Sequence, residues 1–155
     1  MATTLEIVTA VVERLREKQP ALAVEYFPEK PAEYRLNHPK GALLVSYAGS
    51  RFGDAADTGF VAQRRTITVT VTVVMRQLNG RGGAVDALDA VREALFCWRP
   101  PDCQRLKLVA EGFLGEVAGL WQYTVDCSCE ALLVDAAENE DGVLLTVAHH
   151  EERNP

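Results

Sequence analysis

The sequence predicts an α+β fold: a mostly antiparallel or mixed sheet with two helices packed on one face. Three observations lead there. Ile67, Val69, Val71, Val73 and Met75 alternate with Thr66, Thr68, Thr70 and Thr72, so residues 63–76 form a long strand with one apolar and one polar face. Trp121, Tyr123, Val125, Cys127, Cys129, Ala131 and Leu133 repeat the pattern against Gln122, Thr124, Asp126, Ser128 and Glu130. Two other stretches carry apolar residues at helical spacing, and helices of that kind cover the aliphatic face of such a sheet.

Each element has its own signal. In the first helix Leu5, Val8, Val12 and Leu15 recur with Ile7 and Val11 beside them, Thr3 or Thr4 is available as N-cap, and Pro20 lies beyond the end. "ALAVEYF" reads as a short strand stopped by Pro28 and Pro31. "GALLVSYAG", residues 41–49, has the apolar, turn-bounded form of a buried strand. Residues 50–62 are rich in Gly and Asp without periodicity and read as a long exposed loop, of the length that is either mobile or functional. The alternating strand that follows exceeds the typical ~5–6 residues, which lets it project past its own sheet.

"NGRGG" ends that strand. The second helix turns Val85, Leu88, Val91, Ala94 and Leu95 inward, sets Asp86 and Asp89 where the macrodipole favours acids, and is broken at Pro100 in "WRPPD". "QRLKLVAEGF" and "LWQYTVDCSCEALLV" complete the sheet. Residues 1–134 read as a single domain. Residues 135–155 form an acidic extension whose apolar island, Val143 to Val147, reads as a last hairpin strand, a frayed tail, or an arm that adds a strand to a neighbour.

Composition removes several classes of function. At 155 residues with 48% hydrophobic and 25% charged content, the chain can bury a real core and is neither disordered nor membrane-embedded by composition. No apolar run reaches the ~18–20 residues of a membrane span, and the acidic start has neither a signal peptide's nor a transit peptide's form. The 4 cysteines then read as reduced thiols. A net charge of −6 works against general binding to a phosphate backbone.

Chemistry-bearing motifs fail on spacing. "NGRGGAVDALDA" lies between strand and helix, where phosphate cradles form, but Val85 stands where the dinucleotide fingerprint needs glycine and no G-K-[ST] follows. The Gly80–Gly83 turn holding an anion, in a small-molecule-binding domain or enzyme, is the alternative reading. Cys127 and Cys129 share a strand face as small core residues rather than metal ligands. His38, His149 and His150 have no partner at catalytic spacing, and Ser46, Ser50 and Ser128 lie outside any G-x-S-x-G. No catalytic, cofactor-binding or metal residue is assigned. Arg64 and Arg65, at the mouth of the long strand, read as edge charges or as a contact surface.

The order of elements, carried by "GALLVSYAGSRFG", "RRTITVTVTVVMRQLNGRGGAVDALDAVREAL", "RPPD" and "GLWQYTVDCSCEALLV", resembles the tail terminator, or tail-completion, proteins of long-tailed phages, in particular the small tail proteins of Mu-like prophages. The resemblance spans Gly41 to Val134 and implies a virion protein instead of an enzyme. It implies a ring, typically a hexamer, that caps the tail tube, stops its polymerisation and joins the head-side connector. Assembly in the host cytoplasm, residence in the virion tail, no cofactor, no membrane, and DNA only in transit through the lumen follow from it. On that reading Arg51, Phe52, Arg64, Arg65, Thr66, Thr68 and Thr70 are the candidate ring or tube contacts.

Overall fold

A computed structural model describes residues 1–57 and 61–135. Helix α1 (Thr4–Lys18) begins with a reciprocal cap: the Thr3 hydroxyl accepts from the Glu6 amide at 3.1 Å, and the Glu6 carboxylate accepts from the Thr3 amide at 3.3 Å. Strands β1 (Ala23–Tyr26), β2 (Gly41–Asp57) and β3 (Val61–Met75), helix α2 (Ala84–Leu95), and strands β4 (Lys107–Val117) and β5 (Leu120–Val134) follow. The 5-stranded sheet has the order β1-β2-β3-β5-β4, with β1 and β2 parallel and every other pair antiparallel. This is the mixed, mostly antiparallel sheet with two helices that the alternating patterns predict.

The core lies between the helices and the aliphatic sheet face. Ile7, Val11 and Leu15 of α1 and Leu88, Val91 and Leu95 of α2 bury against Leu43 and Val45, Ile67 to Val73 at every second residue, and Val125, Cys127 and Cys129. The two cysteines act as small apolar residues, and burial pushes both thiols up to about 12. Leu5 and Val85, expected inward, are exposed. Leu5 flanks the α1 stripe in its first turn. In α2 the stripe runs through Ala84, Ala87 and Leu88, and Val85 sits about 100° round the axis from Ala84.

Residues 50–57 correct the sequence reading. They are not a loop: β2 continues in register with β3, from Ser50 opposite Ile67 to Asp57 opposite Val61. Irregularities between Tyr47 and Gly49 and between Phe52 and Ala55 shift the register, so strict alternation is lost even though the ladder persists. β1 covers β2 only from Ala42 to Val45, and β4 covers β5 only from Leu120 to Ser128. Beyond those limits β2, β3 and β5 extend as an arm. The long strand does not project past its sheet on its own: β2 and β5 pair with it to its far end, so what extends is a three-stranded part of the sheet beyond β1 and β4.

Helix α2 also stops earlier than its sequence suggests, at Leu95 and not at Pro100. Cys97 adopts a φ of 63°, its amide donates to Leu106 O at 2.9 Å, and the chain has turned before the prolines begin. The expected extension lies outside the described residues except for Asp135, including the island from Val143 to Val147.

Candidate assembly surface

The sheet face opposite the helices is built by the alternate residues of the same strands. Ser46, Thr68, Thr70, Gln122, Thr124, Asp126 and Ser128 form a half-buried polar surface. Thr70 and Asp126 are register partners, and the Thr70 hydroxyl donates to the Asp126 carboxylate at 2.6 Å. The expectation that the threonine face looks outward holds for Thr66, Thr68 and Thr70 and fails at Thr72, which is buried. There Ala42, Leu44 and Val74 form a second small core with Tyr34, Leu36 and Leu120 packed on it. The segment between β1 and β2 folds back over the sheet, turned by Pro28 and a 3-10 turn (Pro31–Glu33). Arg76 holds it by donating to His38 O at 2.9 Å and Leu36 O at 3.1 Å. A groove of about 570 Å³ remains between this segment and the β4–β5 turn, lined among others by Tyr34, Leu36, Leu114 and Leu120. Burial and the nearby charge of Glu25 raise the Tyr34 hydroxyl.

The candidate contact residues separate by face. Arg64, Thr66 and Arg51 lie on the polar face of the arm, and Arg64 meets Glu130 at 3.3 Å while staying 71% exposed. Arg65 points to the other face. It donates to Thr4 Oγ1 at 2.7 Å and Ser50 Oγ at 2.9 Å and lies over the Tyr47 ring. Hydrogen bonds with Ser50 and Arg65 lower the Tyr47 hydroxyl from its ordinary range. Arg65 is thus a bracket between α1 and the arm, while Arg64 is a surface charge. Phe52 shares the Arg65 face, opposite it in register, and is exposed.

Both long margins of the sheet carry exposed apolar side chains. On β4 these are Val109, Phe113, Leu114 and Val117, each more than half exposed. On the β2 side Leu5, Tyr26, Phe27 and Tyr47 are exposed and border one shallow apolar cleft. Sequence reasoning missed both margins. The apolar residues of "KLVAEGFLGEV" were visible, but whether β4 was an edge strand was not.

At the Gly80–Gly83 turn the amides that lead into the helix are already engaged. The Gly82 amide donates to the Asp86 carboxylate at 2.9 Å, the Gly83 amide to Gly80 O, and the Ala84 and Val85 amides to Gln77 O and Leu78 O. A Cβ on Gly83 would lie 2.6 Å from Leu78 O and 2.8 Å from Asn79 O, so the close approach of the turn's own backbone to the helix start explains this glycine. Among the described residues no group of His, Cys, Asp or Glu is placed to hold a metal ion.

The described residues therefore define a two-layer α+β protein whose distinctive features are surfaces: a polar sheet face, an arm and two apolar margins. The chain belongs to the Gp37 protein family, whose sequence pattern matches residues 11–152. A solved chain from the virion of a native gene transfer agent particle is similar in fold, with a TM-score of 0.52 at 16% identity, covering 86% of this chain and 98% of that one. No curated protein matches the sequence.

Proposed function

We propose that this chain is a structural protein of a phage-like particle, and within it the tail terminator: a ring subunit that caps the tail tube and joins the head-side connector. The observation that carries the reading is the sheet face left open beyond the β1–β2 segment and drawn out into an arm, with the helices confined to the other face. Such a subunit spends its exposed surface on protein contacts, and two different patches meeting head to tail close a ring when the rotation closes. The fold shared with a chain of a gene transfer agent virion supports a virion role. The engaged amides of Gly82 to Val85, at the helix start, count against the anion-binding alternative.

Native mass spectrometry of the protein, alone and mixed with a purified phage tail-tube protein, tests this. A closed ring, alone or on the tube, together with tubes that stop elongating, is the expected result. Arg64→Glu should weaken that assembly while the monomer stays folded. Open-ended polymers of the chain itself would make it a tube protein. A monomer indifferent to the tube would overturn the reading.

A further inference from the structure

We propose that the ring is sewn together by its sheets: the outer edge of β4 in one copy pairs with the outer edge of β2 in the next. This rests on the ring reading above. An edge strand presents unpaired N–H and C=O groups, and proteins normally shorten it, cover it, or load it with Lys and Pro. The open stretches here are neither covered nor interrupted by proline, although Glu111 and Glu116 on β4, Arg51 and Asp54 on β2, and two register shifts in each strand stand on them. β4 runs 11 residues without proline, has Lys only at its first position, and exposes Val109, Leu114 and Val117. β2 loses its cover where β1 ends, at Tyr26 opposite Val45, and continues to Asp57 with Tyr47 and Phe52 exposed.

The occupant that fits both edges is a second copy of this chain. Pairing of like edges about a two-fold axis, β4 with β4 or β2 with β2, satisfies one edge and leaves the other open. Head-to-tail pairing satisfies both. The strand directions agree with it. β2 and β5 both run antiparallel to β3, and β4 runs antiparallel to β5, so β4 is antiparallel to β2. A rotation about an axis lying roughly along the strands preserves those directions, and the new ladder is antiparallel like most of the sheet.

Register adds a further point. β4 lies level with Leu120 to Ser128 of β5, whereas the open part of β2 lies level, through β3, with the stretch towards Val134. Pairing the two edges staggers each copy against the next, and stagger is what inclines strands to the axis of a closed sheet. The irregularities at Leu108/Ala110 and Phe113/Gly115 of β4 and at Phe52/Ala55 of β2 bend these strands, as curvature around a ring requires.

Hydrogen exchange read by mass spectrometry, on the ring and on the monomer of the full chain, tests the proposal. In the ring, amides of β4 and of residues 49–57 should exchange at least tenfold more slowly, with α1 and α2 unchanged. Val109→Lys with Val117→Lys should raise the concentration needed for ring formation about tenfold and leave the monomer's melting temperature in place. Rings whose β4 and β2 amides exchange as in the monomer would overturn edge pairing and leave the ring reading standing. Dimers protected at one edge would overturn it as well. A chain that stays monomeric at every concentration, with tube protein present, would overturn both.

Discussion

Arg65 Nη2 donates to Thr4 Oγ1 at 2.7 Å across 61 residues of sequence, so the first turn of α1 is tied to the base of the arm. Its neighbour Arg64 points the other way and, among the described residues, pairs with Glu130 at the surface. Arg65→Ala should therefore lower stability by about 1–2 kcal/mol, since hydrogen bonds from a charged, part-buried donor are lost. Arg64→Ala should stay within about 0.5 kcal/mol, as exposed ion pairs contribute little. Urea unfolding of the two variants measures the difference. Equal effects would mean that Arg65 is no bracket.

The opposite duties of these neighbours were legible in the sequence. Side chains alternate along a strand, so Arg65 shares parity with Ile67 and Arg64 with Thr66. Treating the pair as one basic entrance overlooked that. The burial of Thr72 was not legible, because its cover comes from residues 27–36, far away in the chain. Residues 50–57 were misread for a related reason. "SRFGDAAD" lacks alternation because of the bulges, and its strand conformation is imposed by pairing with β3. The helices, the long strand and the cysteine-bearing face needed no distant partner to be recognised, since each repeats its own period. Which strands form the margins, and so where an assembly surface lies, depends on sheet order, which periodicity does not encode.

Alkaline pH should unfold the protein through its buried thiols. Burial lifts Cys127 and Cys129 from an ordinary 9.0 to about 12. Below pH 9 they are neutral in both states and their contribution is intact. As pH rises above 9 the unfolded chain releases these protons first, so it binds fewer than the native state and stability falls. The loss is at most about 1.4 kcal/mol per pH unit per thiol and continues until the native thiols ionise. Urea midpoints at pH 8, 9.5 and 10.5 should decline, and Cys127→Val should flatten the decline. An unchanged slope in that variant would place the alkaline sensitivity elsewhere.

Gly41 opens β2 opposite Met75, and a Cβ there would lie 2.3 Å from the Met75 sulfur and 2.5 Å from Val74 O. The sulfur is the movable end of a side chain, but the carbonyl belongs to the ladder. Gly41→Ala should cost about 1–3 kcal/mol, as overpacking does, with the loss read from the thermal midpoint. Gly82 makes the control. It has a φ of 84° and open space around its Cβ position, so Gly82→Ala brings strain in the left-handed region without a clash. If Gly41→Ala is the milder of the two, β2 and β3 do not approach this closely.

Inorganic phosphate gives a direct test of the glycine turn. A ligand present at 100 times its dissociation constant stabilises a protein by about 2.7 kcal/mol, which a thermal shift readily detects. No shift is expected here. An incoming anion would have to displace the Asp86 carboxylate from the Gly82 amide, and the next amides already donate to backbone carbonyls. Asp86→Asn keeps the side chain's size, removes its charge and leaves an acceptor for the same amide, so it should lose some of the helix N-terminal stabilisation, about 0.3–1 kcal/mol, and still show no phosphate shift. If the unmodified protein is stabilised by phosphate and Asp86→Asn responds more strongly, the turn is an anion site held closed by its own aspartate, and the ligand-binding reading regains its footing.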